Sequence, residues 1–445
     1  MKTAALLTTT LLATTSGAPL QELIENDPRL TDFHYTLSQS NVDLSGPGPF
    51  TVFAPINGAF IGSEGMSEYK FKAVQADQQK LNTMMQFHVT KGKAMKKDDL
   101  PDSVSTLAGQ NLSVVRNGRS VTVKDAACGA GDMVEHDIVA DNGILHIVDS
   151  ALVPAGTFCP DTVFAAEGSK YERYITAYGY DCRSSGSVNL SAEKATKPVA
   201  LATSDATKKV FWTDDMDYPH GSATSWSSSV DYDGTGKHHV VDNIVDPQGI
   251  ATDDVHKKLY FATHSGNSII RTDYDGKNKE TMVAKLNNES FQPSGVAIDA
   301  KVGYVFASIE QPNSTGYIAK FDLSNNFQEE MLAGPKFVKP YGLCVDDVAQ
   351  HVYYIVGGHG GQIRCVNYGS TPCKHGPILI DIVDYAYNCA VDNSLAAQGI
   401  TNIVFSNADD IYFVSSEGGE YQKLNRTNVT DPLNAPMGVA FGCRS

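Results

Sequence analysis

From about residue 159 onward the chain repeats itself with a period near 47 residues, and few folds accommodate such a repeat. Its anchor is a Pro-x-Gly-apolar-Ala-x-Asp pattern, seen from Pro247, Pro293, Pro340 and Pro436, with degenerate copies from Pro198 and Tyr387. The steps between starts are 49, 46, 47, 47 and 49 residues. About ten residues later comes an aromatic strand, as in Val210-Phe-Trp-Thr-Asp214, Leu259-Tyr-Phe-Ala-Thr263 and Val352-Tyr-Tyr-Ile-Val356. A sixth such strand, Val163-Phe-Ala-Ala-Glu167, precedes the first anchor. A unit of several short strands cannot bury both its faces alone, so the units must stack. This period predicts propeller blades, six of them by the count of aromatic strands. The first blade opens at its second strand, so its inner strand can only be the orphan copy at Pro436. The two ends of the repeat then pair in one sheet and leave no open edge.

The segment 19–156 has a different character. Leu20–Ile24 and then Leu30, Phe33 and Leu37 carry apolar residues at helical spacing, with Pro28 between them. A breaker cluster, Gly46–Phe50, leads into the short buried strand Thr51–Ala54, where Pro55 is expected to end the hydrogen bonding. Phe71–Phe87 reads as one helix. Leu112–Val115 and Val121–Val123 alternate with period two. Asp141-Asn142-Gly143 reads as a turn with Gly free to take positive φ, before a central strand at Ile144–Val148.

Two separated motifs in this segment, Phe50-Thr-Val-Phe-Ala-Pro-Ile-Asn-Gly-Ala-Phe60 and the run Asp137–Pro154, resemble the fasciclin domain. The resemblance implies an α/β fold and adhesion to matrix or cell-surface partners. Phe87-His88 stands where that family usually has Tyr-His, which makes Phe87 and His88 candidate adhesion residues. Phe at the first position removes a hydroxyl, and the residue pattern favours a structural, hydrogen-bonded His88. His146, in an apolar strand, is expected to be structural as well. The repeat resembles the YWTD propeller of the low-density-lipoprotein-receptor class, with Trp212-Thr-Asp214 its nearest copy. The fold expected is therefore multidomain: a signal peptide over 1–18, a fasciclin-like domain over 19–156 and an all-β six-bladed propeller over 159–445, closed by a C-terminal strand.

Lys2, the apolar run Ala4–Ala13 and the small residues Ser16–Ala18 form the signal-peptide pattern. No other run is long enough to span a bilayer. Six sequons, at Asn111, Asn189, Asn288, Asn313, Asn425 and Asn428, fit a secreted glycoprotein. None of the eight cysteines forms a C-x-x-C pair. Ring closure brings Cys159 beside Cys443, which predicts a disulfide between them. Cys365 and Cys373 flank a short turn and are expected to pair across it, and Cys344 and Cys389, on inner strands of adjacent blades, are a further expected pair. Cys128 and Cys182 remain, and could bridge the domains. The formal net charge is −16, which argues against a nucleic-acid partner and against docking on anionic lipid.

Candidate chemistry is sparse. Asp231-Tyr-Asp-Gly234 and Asp273-Tyr-Asp-Gly276 lack the spacing of a calcium loop and read as hairpin turns. His238 and His239 are strand neighbours and point to opposite faces, so they do not chelate one ion together. Gly357-Gly-His-Gly-Gly361 lacks the features of a phosphate cradle. Asp253, Asp299, Asp346 and Asp392 close the inner strands and read as turn-fixing. Asn388 is a polar oddity on an inner strand. No catalytic, metal or cofactor set emerges. The function expected is secreted adhesion or matrix or cell-wall binding through extracellular protein or polysaccharide contacts. The alternative is a calcium-dependent lactonase or esterase using the propeller channel.

Overall fold

The computed structural model describes residues 17–60, 71, 74–125, 130–154, 162–168, 173–179, 187–190, 197–215, 225–284, 291–312, 314–357, 361–374, 377–382, 385–393, 401–407, 410–424 and 438–442. The chain forms two compact units, Met1–Thr157 and Phe158–Ser445. Cys128, Cys159, Cys182 and Cys443, and the sequons at Asn288, Asn313, Asn425 and Asn428, lie outside the described residues, as do residues 1–16 and His359.

The first unit is built on strands β1 (Phe50–Pro55), β2 (Val89–Lys91), β3 (Ser103–Ser105), β4 (Asn111–Asn117), β5 (Ser120–Lys124), β6 (Ala130–Ala140) and β7 (Gly143–Val148). They form one sheet in the order β2-β1-β7-β6-β5-β4-β3. Strands β1 and β7 run parallel and are buried along their whole length, hence their unbroken apolar sequences. Pro55 does not end this pairing, because Ile56 still donates its N–H to Val148 O. Along a strand, successive N–H groups point to alternate sides. Phe53 N bonds His88 O on the β2 side, so Pro55 has its missing N–H on the side away from β7. Gly143 is not needed for positive φ either. A Cβ there would sit 2.4 Å from Phe50 O, so glycine lets β7 enter beside β1.

Helices α1 (Leu20–Asn26) and α2 (Thr31–Ser38) place Leu20, Ile24, Phe33 and Leu37 in the interior. The helix expected over Phe71–Phe87 is interrupted. Asp77 adopts extended geometry, and its carboxylate accepts from Gln79 N and Lys80 N, capping a fresh helix α3 (Gln78–Phe87).

The second unit contains six four-stranded antiparallel sheets among its described residues, the six-bladed propeller that the period implied. The inner strands of blades 2 to 6 are Pro198–Ser204, Pro247–Asp253, Gln292–Asp299, Pro340–Asp346 and Ala386–Asp392. Blade 1 takes its inner strand from the far end of the chain. Gly438–Gly442 pairs with Thr162–Gly168, Val439 opposite Ala165 and Phe441 opposite Val163.

The glycine of the repeat has a steric cause. A Cβ on Gly342 would lie 2.5 Å from Tyr387 O and 2.7 Å from Asn388 Cα of the next blade. Gly249 meets Ser294 O and Gly295 meets Tyr341 O in the same way, each at 2.9 Å. Pairing with the second strand shifts register at this point, as between Pro247 and Gly249. Each pair of adjacent blades then buries its own apolar cluster. Between blades 3 and 4, for example, Tyr260 and Ile269 pack with Val305, Ala307 and Phe321. Trp212 is buried, with its indole N–H donating to Asp214 Oδ2 at 2.7 Å, which explains the Trp-Thr-Asp triplet of blade 2.

At the exit of the inner strands, Asp253, Asp299 and Asp346 each accept two backbone N–H groups of the following turn. Two also tie blades together: Tyr368 Oη donates to Asp299 Oδ2 and Thr401 Oγ1 to Asp346 Oδ2. Asp231–Gly234 and Asp273–Gly276 are tight turns, with Gly234 and Gly276 at positive φ. Cys344 is disulfide-bonded to Cys389 across blades 5 and 6, and Cys365 to Cys373 within blade 5.

Two stability outcomes follow. Gly342→Ala forces a methyl group against the backbone of blade 6 and is expected to cost roughly 1–3 kcal/mol. Replacing Cys344 and Cys389 by Ser releases a loop of 45 residues, against 8 for the Cys365–Cys373 pair. By chain entropy the losses are about 4 and about 2.5 kcal/mol. Denaturant unfolding of the three variants checks both the sizes and the order.

Candidate functional site

The six inner strands surround a channel with a cavity of about 420 Å³. Most of the side chains lining it are small and apolar, because the repeat places Gly, Ala, Val, Ile and Leu on these strands. One rim is different. There the links that enter the inner strands lie beside the turns that leave the second strands. Asp246 and Lys339 immediately precede the prolines that open blades 3 and 5. His264 follows the second strand of blade 3, and Glu310 lies near the end of the second strand of blade 4.

These four side chains form a row of alternating charge. His264 Nδ1 lies 3.4 Å from Asp246 Oδ2, and its Nε2 lies 3.1 Å from Glu310 Oε2. Lys339 Nζ lies 2.6 Å from Glu310 Oε1. Asp246 is buried and also accepts from Gln248 Nε2 at 2.5 Å and from Ser265 Oγ. Burial disfavours the charged form of His264, but its two carboxylate partners outweigh this and raise its pKa to about 9. Burial likewise pushes the Asp246 and Glu310 carboxyls up. Bonds from His264, Ser265 and Gln248 hold Asp246 well below the usual carboxylate range, and bonds from His264 and Lys339 lower Glu310. The row is thus Asp⁻, His⁺, Glu⁻, Lys⁺, its negative end buried and its ammonium end half exposed.

The residue types on the inner strands, in the Asp-Gly turns, at His238-His239 and in the Gly357–Gly361 loop point to no converging set. Of the converging charges, Asp246 and Lys339 sit one residue outside those strands, and His264 and Glu310 sit at the ends of second strands. The available signal was the charged residue before two of the repeat prolines. Asn388, Tyr341 and Tyr387 line the same cavity. Asp246 and Glu310 approach opposite nitrogens of one imidazole, so they flank a cation instead of aiming at a common point where a metal would sit.

The other candidates resolve individually. Phe87 and His88 are both at 0% exposure, which corrects their assignment as adhesion contacts: a side chain with no surface cannot touch a partner of the folded domain. His88 Nδ1 donates to Met84 O at 2.9 Å and Nε2 accepts from Leu152 N at 3.0 Å. This fixes the neutral tautomer, and burial lowers the pKa to about 4. His146 is also internal: its Nε2 bonds Met95 O, its ring stacks on Phe53, and burial lowers its pKa. His238 and His239 are exposed, and His239 pairs with Asp242 at 3.6 Å. His351 lies near Cys365 and Cys373, but that pair is a disulfide and offers no thiolate. Asn111, at the start of β4, is exposed.

A sheet with two buried parallel strands under short helices, closed by a buried histidine, defines the first unit. Residues 28–154 match the Fasciclin domain family, and the unit is a fasciclin domain. Over 142 residues it is 30% identical to Stabilin-2 of Rattus norvegicus, covering 31% of this chain and 9% of that protein. Over 141 residues it is 28% identical to Periostin of Homo sapiens, covering 31% of this chain and 16% of that protein. The chain thus spans about a tenth to a sixth of the length of these relatives. The propeller is similar in fold to a solved structure described as a nidogen/laminin complex. Its TM-score is 0.50 at 14% identity, covering 63% of this chain and 97% of that one. That likeness speaks for the YWTD-like propeller fold.

The two unusual histidines have opposite pH signatures. The unfolded chain protonates His88 below about pH 6.5, whereas the folded domain resists until about pH 4. Stability of the fasciclin domain therefore falls with pH across that window, by roughly 3 kcal/mol in full. For His264 the folded pKa is the higher one, so its contribution is complete below pH 6.5 and is lost as pH rises through about 9. Unfolding profiles of His88→Gln and His264→Gln are expected to flatten the acid and alkaline limbs respectively.

Proposed function

We propose that this chain is an exported glycoprotein that binds extracellular protein or polysaccharide and supports adhesion or matrix assembly. The observation that carries this reading is the charged row at the channel rim. Its titratable groups satisfy one another and hold fixed positions, as in a rigid recognition surface. A hydrolytic site needs a nucleophile beside a base, or side chains converging on a metal. The fasciclin domain supports the same reading through what its family resemblance implies. No described helix is long and apolar enough to cross a membrane. Loops on the channel rim would carry the partner site of the propeller, since rigid blades hold such loops in fixed positions. In the first domain the partner surface would lie away from Phe87 and His88.

The test uses the full-length protein, retained on immobilised matrix or cell-wall fractions. Retention is expected to fall at least about tenfold in the Glu310→Gln/Lys339→Met double variant, because a rim ion pair that contacts a partner contributes charge-assisted bonds. Absence of retention on any such fraction, together with ester or lactone hydrolysis that a chelator abolishes, would replace this reading by the enzymatic one.

A further inference from the structure

We propose that the propeller channel is a binding site for a small amphipathic carboxylate, with the anionic group at the rim and the apolar body inside. The inference stands apart from the adhesion reading and rests on an inventory of the donors and acceptors around the cavity. The two carboxylates are engaged. Asp246 takes Gln248, Ser265 and His264, and Glu310 takes His264 and Lys339. Asn388 Oδ1 accepts Cys389 N at 2.8 Å.

Unused N–H and O–H hydrogens face the cavity from four side chains of one wall. Lys339 has three ammonium hydrogens, one of which faces Glu310, and its Nζ lies 5.7 Å from the ring centroid of Tyr341. Among the described residues, the hydroxyls of Tyr341 and Tyr387 and the amide NH₂ of Asn388 have no hydrogen-bond partner. All four side chains line the one cavity and are partly exposed in it. A rim with free N–H and O–H groups and the ammonium end of a charged row selects an anion with hydrogen-bond acceptors. A cation would meet the Lys339 ammonium and carboxylates already paired with His264 and Lys339.

The depth of the channel sets the rest of the ligand. Beyond the rim, Ile298, Val345 and Val391, from three different blades, are partly exposed to the cavity. At the far end the hydroxyls are used up between strands: Thr252 Oγ1 donates to Thr203 O and Thr203 Oγ1 to Phe441 O. The side chains of the interior thus offer mainly apolar contact. From Lys339 to Val345 the strand rises about 20 Å at roughly 3.3 Å per residue, which leaves room for a chain of several methylenes. A cavity of about 420 Å³ is of the size that encloses small organic ligands. The net charge of −16 repels anions at long range, but at physiological salt that repulsion is screened beyond about 8 Å. The local donors then decide.

The test is calorimetry of the full-length protein with octanoate, octan-1-ol, octylamine and acetate, backed by ligand-observed NMR. One octanoate site is expected, with octanol at least about tenfold weaker and octylamine without binding. From butanoate to octanoate the affinity is expected to rise about threefold to fourfold per methylene. Lys339→Met should weaken octanoate about tenfold and leave octanol unchanged, while Lys374→Met, which removes a distant exposed ion pair with Glu417, changes neither. Tyr387→Phe preserves the ring and the fold, and should weaken octanoate several-fold. Octylamine binding as tightly as octanoate, a flat chain-length series, wild-type octanoate affinity in Lys339→Met or Tyr387→Phe, or no octanoate signal at millimolar concentration would each overturn the proposal. Octanoate binding without matrix retention, or the reverse, separates this inference from the adhesion reading.

Discussion

The propeller depends on how closely its inner strands approach one another around the axis. At Gly249, Gly295 and Gly342 the backbone of one blade comes so near the next that a single methyl group would collide with main-chain atoms. Main chain cannot swing aside as a side chain can, so the repeat keeps glycine where the blades converge. The proline two residues before it opens the strand where the pairing shifts register. Once the strands are drawn in, the aromatic second strands of neighbouring blades meet and bury the apolar clusters between sheets. Burial at every blade interface is cooperative in this sense: no blade has a core without its neighbours.

The same close approach creates the channel rim. Links that enter the inner strands are drawn toward the axis together with the turns beside them. Side chains that are about 90 residues apart in sequence, such as Asp246 and Lys339, thereby become members of one ion-pair row. Pairing among these groups compensates the cost of removing them from water, which an isolated buried Asp246 could not meet. The fasciclin domain treats its histidines differently. His88 and His146 are kept neutral by burial and used as two-ended hydrogen-bond connectors between strands and loops. One molecule thus contains buried imidazoles held neutral and a half-buried one held charged, and the difference lies in what meets the ring nitrogens: backbone groups at His88 and His146, two carboxylates at His264.

Elements with a strong local signature were legible in the sequence. The period and the aromatic strands gave the six blades, and the missing strand of the first blade gave the ring closure, because pairing leaves only one copy to fill the gap. The turn role of Asp253, Asp299 and Asp346 was legible from their position at strand ends. The break at Asp77 was not anticipated, since the apolar spacing on either side suits one long helix and only the capping geometry divides it. The continued pairing past Pro55 was missed because the sequence does not say which side of a strand its absent N–H faces. The structural role of His88 was legible from its type and setting, whereas Phe87 and His88 became adhesion candidates through the family motif, in which burial is not written.

By itself the sequence determined the period, the number of blades and the order in which they close, because these follow from hydrophobic pattern and from the need of each sheet to cover its faces. It also marked the chain as two differently patterned parts. Only the tertiary structure decided which charges meet. Asp246 and Lys339 stand before repeat prolines two blades apart, and His264 and Glu310 hold the same repeat position in blades 3 and 4, so the period puts them at one rim but does not say which of them pair. Coulombic pairing depends on distance in space, which chain position does not encode until the blades have packed.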